Sequence, residues 1–270
     1  MQENISLAKT KKIILVTGAN SYLGVKLVKS LALKGHIVYA GVRDQKKITV
    51  NEDLVRPIIL DITSDQACKL VVEKIIREEG GIDVLVNNAA YTLSGPTLEF
   101  ASREYMDILN TNTIGAFRLI KEVYPYMKNE RYGKIINITS LNGLIPFPNF
   151  GLYSSSKFAI EALGLSLRYE LAKDGIFVTN IAPGAILPNK QKSDKSISHK
   201  TAREKFWLLR ILMPMISVET ITKKIGEIIE NPFPPARVIL GRDAKLTTTL
   251  QRLLPFTVWD RMMNLVWNKR

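Results

Sequence analysis

Lys12-Ile-Ile-Leu-Val-Thr17 runs directly into Gly18-Ala-Asn20-Ser21-Tyr22-Leu23-Gly24, and this junction decides the fold. The first segment is a short unbroken apolar run, as a buried strand requires. Beyond the junction, Val25, Leu27, Val28, Leu31 and Ala32 recur at helical spacing. Strand, glycine turn and helix N-terminus in that order make an anion site, because free backbone N–H groups and the helix dipole both face the turn. A glycine-bearing turn alone says little; between a buried strand and a helix it marks a nucleotide-binding βαβ unit.

The alternation continues along the chain. Gly35 ends the first helix, and His36 to Val42 forms a second strand closed by Arg43-Asp44. In a dinucleotide-binding unit the end of this strand meets the adenosine ribose, where an acid binds the 2′-hydroxyl and an arginine the 2′-phosphate. Arg43 with Lys46 and Lys47 favours NADP over NAD, while Asp44 keeps NAD in play. Ile58 to Leu60 is a third strand ending in Asp61-Ile62, and Thr63 to Gln66 reads as a capping box opening a helix that ends at Gly80-Gly81. Val84 to Val86 is a fourth strand that leads into Asn87-Asn88-Ala89-Ala90. Small side chains there let a ring or ribose lie against the backbone, and an asparagine can tie neighbouring strands. Glu99 to Lys128 is one long helical pattern with Asn110-Thr111-Asn112 inside it, although asparagine is a poor interior helix residue.

Ile135 to Ile138, Phe177 to Ile181 and Arg237 to Leu240 supply three more strands, with a helix over Val218 to Glu230. The pattern predicts an α/β, doubly wound (Rossmann) single domain over residues 1–270, with a parallel seven-stranded sheet and helices on both faces. Its core runs from about 12 to 242, with a lid over 186–214 and an amphipathic extension over 243–270. The lid is basic from Lys190 to Arg210 and carries an apolar cluster from Phe206 to Met213.

A second stretch carries the chemistry. Ser140 ends a strand, and Tyr153 and Lys157 lie four apart on a helix that begins near Ser154, so both project from one face. A phenol is a poor acid–base catalyst at neutral pH until a neighbour such as an ammonium favours its phenolate. Ser140 can hydrogen-bond the same reacting oxygen.

The chain has 270 residues, 46% of them hydrophobic, and a net charge of +13. The charge points to anionic partners such as phosphate-bearing cofactors or acidic lipid; no nucleic-acid module accompanies it. The single cysteine, Cys68, permits no internal disulfide, and the two histidines, His36 and His199, lack ligand-spaced companions, which argues against a metal. Met1 to Lys12 lacks the apolar core of a signal peptide and no run is long enough to span a bilayer, so a cytoplasmic location is expected. In the tail, Leu246, Leu250, Leu253 and Leu254 form one apolar stripe and Trp259, Met262, Met263 and Val266 another. Lys245, Arg252, Arg261, Lys269 and Arg270 surround them. Such pieces can pack over a substrate pocket or a partner subunit, or lie peripherally on an anionic membrane.

Together, Thr17-Gly18 with Gly24, Asp61, Asn87-Asn88-Ala89, Asn112, Ser140, Tyr153-x-x-x-Lys157 and Pro183-Gly184 resemble the short-chain dehydrogenase/reductase family in its shorter single-domain branch. Val38 to Arg43 is more weakly similar to its NADP-linked members that act on steroids and retinoids. The resemblance implies an oxidoreductase that moves a hydride between the nicotinamide of NADP(H), or of NAD(H), and a carbonyl or alcohol of a small apolar substrate. It implies Asn112, Ser140, Tyr153 and Lys157 as the catalytic set. Tyr153 would exchange the proton, Ser140 hydrogen-bond the substrate oxygen, Lys157 bind the ribose and favour the phenolate, and Asn112 hold a water linking Lys157 to solvent. The cofactor would lie along Gly18, Asn20, Ser21, Tyr22, Leu23 and Gly24, then Arg43, Asp61, Ile62, Asn88, Ala89, Ala90 and Thr111. Tyr153, Lys157, Pro183, Gly184 and Ile186 would complete its seat. A homodimer or homotetramer is implied by the same resemblance.

Three positions depart from the family pattern. Tyr22 stands where the shorter branch usually has glycine, and Thr17-Gly-x-x-Ser21-x-x-Gly24 resembles the epimerase-like branch with Ser21 in place of its middle glycine. Pro188 lies where many members have a threonine that binds the nicotinamide carboxamide, and Ala90 replaces a common glycine. Tyr22 and Pro188 motivate the runner-up reading, a cofactor-binding regulator or scaffold of the same fold with little or no turnover.

Overall fold

The computed structural model describes residues 11–44, 50, 52–188 and 215–267. In chain order these form β1 (Ile13–Thr17), α1 (Tyr22–Leu33), β2 (Ile37–Val42), β3 (Val55–Ile59), α2 (Asp65–Glu79) and β4 (Val84–Asn87). There follow α3 (Ser102–Leu109), α4 (Gly115–Asn129), β5 (Gly133–Ile138), α5 (Gly151–Glu170) and β6 (Ile176–Pro183). The chain continues with α6 (Val218–Glu230), β7 (Arg237–Leu240), α7 (Arg242–Leu253) and α8 (Phe256–Trp267).

Among the described residues seven strands make one sheet in the order β3-β2-β1-β4-β5-β6-β7, every neighbouring pair parallel. Successive strand residues face opposite sides, so each apolar run must be covered twice. Ile14 and Val16 of β1 pack with Leu27 and Leu31 of α1 and with Ile221 and Ile225 of α6. Leu15, between them, packs with Val72 and Ile75 of α2 and with Leu119 and Val123 of α4. Winding reverses between β1 and β4, so their carboxyl ends border the crevice where ligands bind in such sheets. No helix among the described residues is long and apolar enough to cross a membrane.

Beyond one- or two-residue extensions of strands, four local features differ from the sequence reading. β3 starts at Val55 and contains Pro57, which is tolerated because β3 is the edge strand. The cap of α2 is Ser64, whose Oγ accepts from Ala67 N at 3.2 Å; Thr63 turns instead to Asp61, so the capping box is not formed. The long pattern from Glu99 divides into α3 and α4 around a π-helical turn at Asn110–Ile114. Helix α5 begins at Gly151, three residues earlier than its apolar spacing indicated.

Buried polar side chains fasten the sheet to α5. Asn87, Asn137 and Asn180 stand in register on β4, β5 and β6. Asn87 Nδ2 donates to Asn137 Oδ1 at 2.9 Å, Asn137 Nδ2 to Asn180 Oδ1 at 3.0 Å, and Asn180 Nδ2 to the Glu161 carbonyl of α5 at 2.8 Å. Interior amides seek partners, and this ladder supplies them for every group named here while seating α5 on β6; Asn87 Oδ1 alone in the ladder stays buried without one. Asn137→Leu strands Asn87 Nδ2 and Asn180 Oδ1, at about 1–3 kcal/mol each. A lower urea midpoint with unchanged slope is the expected result.

Candidate active site

The nucleotide side of the site is built at the winding reversal. Gly18 adopts φ +61°, and a Cβ on Gly24 would lie 2.4 Å from the Gly18 carbonyl oxygen, so this tight turn admits no side chain at either position. Thr17 Oγ1 accepts from the backbone N–H groups of Asn88 (3.0 Å) and Ala89 (2.9 Å). Asn88 Nδ2 in turn donates to the carbonyls of Thr17 (2.9 Å) and Gly18 (3.0 Å) and to Ser21 Oγ (3.2 Å). Ser21 caps α1 by accepting from Gly24 N at 3.0 Å. The first-turn N–H groups of Tyr22 and Leu23 have no acceptor within the helix, which leaves the positive end of α1 over the crevice. Tyr22 begins α1 with 37% of its surface exposed, so the helix start forms with a side chain where glycine is usual. Asn20 and Ala90 are exposed beside it.

At the ends of β2 and β3 the exposed Arg43 faces Asp61. Hydrogen bonds from Thr63 Oγ1 (2.7 Å) and Thr63 N (2.9 Å) hold the Asp61 carboxyl below the usual carboxylate range, and Arg43 and Arg118 add to the effect. Ile62 is buried against Gly115 at the start of α4. Lys46 and Lys47 lie outside the described residues, as does most of the lid, including Phe206 to Met213.

Tyr153 and Lys157 occupy the first two turns of α5. Lys157 Nζ lies 5.8 Å from the Tyr153 ring centroid and donates to the Ile138 carbonyl at 2.8 Å; burial pushes its ammonium down to about 8. Burial also raises the Tyr153 phenol, and hydrogen bonds from Ser140 and Thr92 offset part of that rise. The expected depression by Lys157 is not what the site shows: exclusion of water raises the phenol, and the groups that lower it are Ser140 and Thr92. Ser140 also caps the short turn at Leu141–Gly143 by accepting from Asn142 N at 3.1 Å.

Asn112 is buried in the π-helical turn with its amide committed. Its Oδ1 accepts from Tyr91 N (3.0 Å), and its Nδ2 donates to Tyr91 O (2.9 Å) and Ser156 Oγ (3.0 Å). Ser156 Oγ donates to the Tyr153 carbonyl at 2.7 Å, and Thr113 Oγ1 to the Ser156 carbonyl at 2.9 Å. The inserted turn thus anchors both α5 and the Tyr91-Thr92 segment, and π turns often serve this purpose at functional sites. Thr111 is half-buried in the same turn.

After β6, Gly184 N donates to the Leu240 carbonyl at 2.7 Å. Asp243 of α7 accepts from Ala185 N at 2.6 Å, and Ile186 bridges to Ile216. Pro183, Gly184 and Ile186 are thereby held at the carboxyl end of β6. Among the described residues no group of three or more His, Cys, Asp or Glu side chains is placed to hold a metal ion.

A family model described as short chain dehydrogenase matches residues 12–197. The chain belongs to the short-chain dehydrogenase family. A 3-ketodihydrosphingosine reductase of Bacteroides thetaiotaomicron is 41% identical over 174 residues, 64% of this chain and 63% of the reductase, so the match spans a little under two thirds of that relative. A short-chain dehydrogenase structure from Streptomyces avermitilis superposes with TM-score 0.80 at 26% identity, covering 97% of both chains. The structure of ElxO with NADP bound superposes with TM-score 0.73 at 27% identity, over 85% of this chain and 96% of that one.

Several residues that shape this dehydrogenase's site escaped the sequence reading. Thr92 reaches Tyr153 from 61 positions away, a separation no local spacing announces. Ser156 had a signal: three successive serines, Ser154 to Ser156, sit inside a helix although serine disfavours helix interiors. Asn87 was legible as an asparagine able to tie neighbouring strands; its partners Asn137 and Asn180, and Asp243, gave no signal, because strand order sets those pairings.

Proposed function

We propose that this short-chain dehydrogenase interconverts a carbonyl and an alcohol on an apolar substrate, with NADP(H) preferred to NAD(H) and Tyr153 exchanging the proton. The observation that carries the reading is the convergence of Ser140 and Thr92 on the Tyr153 phenol with the Lys157 ammonium one helical turn away. The glycine turn and the α1 N-terminus fit a dinucleotide phosphate, and Arg43 fits a 2′-phosphate. A bound nicotinamide supplies or accepts the hydride. The protein's own part is to orient the substrate oxygen through Ser140 and Tyr153 and to stabilise charge developing there. Lys157 binds the ribose. With its amide spent on Tyr91 and Ser156, Asn112 acts here as a positioning residue for α5 and the Tyr91-Thr92 segment.

Two observations support an apolar ketone as substrate. A cavity of about 600 Å³ lies between the loop that joins Ser140 to Tyr153 and helix α8, lined by Phe147, Trp259 and Met263 and also by Asn149, Asp260 and Asn264. The 41% identical relative is named as a reductase of a keto compound. Exposed Ile114 and Phe117, with Phe158 of α5, support subunit pairing through the long helices.

NADPH fluorescence titration followed by turnover on a panel of aldehydes and ketones tests the proposal. Tight cofactor binding with no turnover would assign the chain to the regulator or scaffold reading instead. Cofactor choice has its own expected result. Arg43→Ala should cut the preference for NADPH over NADH by roughly 10- to 100-fold, the worth of one or two charge-assisted hydrogen bonds. An unchanged ratio of the two kcat/KM values would remove Arg43 from the 2′-phosphate site.

A further inference from the structure

Helices α7 and α8 lie beyond the stretch matched by the family model, and their two faces meet different surroundings. On the inner side, Ala244 and Trp259 are buried and pack with Leu254, Met262 and Met263 against Leu141, Ile145 and Phe147, in the loop that leads to Tyr153. Trp259, Met262 and Met263 of the second apolar stripe of the tail are thus covered. Leu246, Leu250 and Leu253, at i, i+4 and i+7 on α7, are exposed, Leu253 by 73%. Phe256 follows at the corner after Pro255 with 80% of its surface exposed.

Along α7 the charge around that outer stripe has one sign, while on α8 the exposed Asp260 lies one turn beyond Phe256. Arg242 heads it, and Lys245 and Arg252, seven apart, run along one flank; all three are exposed. The one carboxylate of α7, Asp243, accepts from Ala185 N and has its other oxygen buried, so none opposes the cations from the outer face of α7. An apolar row edged by cations is the pattern of a helix that lies in a lipid interface. A second copy of the chain suits the face poorly, because a two-fold contact would set the same cations against one another.

We propose that the outer face of α7, with Phe256 at its corner, docks on an anionic lipid bilayer. Leu246, Leu250, Leu253 and Phe256 enter the interface while Arg242, Lys245 and Arg252 meet lipid phosphates. Helix α8 also walls the cavity beside the Tyr153 loop, so docking brings that cavity close to a reservoir of apolar molecules. The inference does not rest on the oxidoreductase reading, and its test does not use turnover.

The full chain is sedimented with vesicles of phosphatidylcholine alone and of phosphatidylcholine with phosphatidylserine. Binding to the anionic vesicles is expected to exceed binding to the neutral ones by about tenfold or more and to weaken with added salt. A Leu250→Asp, Leu253→Asp double variant and a Lys245→Glu, Arg252→Glu double variant should each lose most of that binding while melting like the parent chain. Equal partition on both vesicle types overturns the proposal. So does binding that survives both variants. A third overturning result is a parent chain that ignores vesicles yet changes from dimer to monomer on Leu250→Asp, Leu253→Asp, which gives the face to a second copy.

Discussion

Tyr153→Phe is expected to lower kcat/KM by about 10²- to 10⁴-fold, the usual worth of a positioned acid–base group, while NADPH affinity falls far less. The substitution keeps the ring that fills the start of α5 and deletes only the oxygen to which Ser140 and Thr92 donate. Ordinary burial would make that oxygen a reluctant anion, and the phenol does stand above its ordinary value. Protonated Tyr153 is thus the state present at neutral pH, which suits donation of a proton to a carbonyl oxygen as hydride arrives. In the reverse direction the phenolate must form, and that is where the hydrogen bonds from Ser140 and Thr92 act. Turnover by the phenylalanine variant within about tenfold of the parent would end the proton-transfer role.

Lys157→Met should cost about 10²-fold or more in kcat/KM and should remove a limb from the pH profile. In the parent chain the ammonium is lost as pH rises through about 8, so the rate should decline on the alkaline side. Stability moves the other way. Below about 8 the lysine is charged in both folded and unfolded chains, and the fold bears the whole penalty of burying it. Between about 8 and the ordinary 10.5 the unfolded chain binds more protons than the folded one, so stability rises with pH. Lys134, whose ammonium burial also pushes down to about 8, adds to that rise. A rate that falls above pH 8 while the urea midpoint holds or climbs therefore separates loss of the ammonium from unfolding. If the methionine variant kept the parent's alkaline limb, Lys157 would not be the titrating group.

The two variants act on groups that belong to one assembly. Lys157 donates to the Ile138 carbonyl at the end of β5, Ser140 lies two residues beyond, and the ladder through Asn137 and Asn180 reaches the same helix through the Glu161 carbonyl. Damage to the ladder is expected to shift Tyr153 as well as to destabilise the sheet. Methionine at 157 also leaves the Ile138 carbonyl without its donor, so part of its cost will be structural, and the pH profile is the readout that isolates the rest.

The amino-acid sequence was enough for everything that repeats at short range. Unbroken apolar runs separated by helical patterns specify buried parallel strands with helices on both faces. The glycine turn from Gly18 to Gly24 marks the strand-to-helix junction at the crevice, and four-residue spacing puts Tyr153 and Lys157 on one helical face. Each of these follows from the period of a strand or a helix, which a few consecutive residues carry. Strand order and close packing decided the rest. They brought Thr92 to the phenol and lined Asn87, Asn137 and Asn180 into one ladder. They split the long helix at Asn110–Ile114 so that Asn112 could hold Tyr91, and they chose which apolar stripe of the tail was covered. They also set the direction of the Tyr153 shift, because the cost of charging a phenol depends on how much water the surrounding layers exclude, and no spacing along a chain records that.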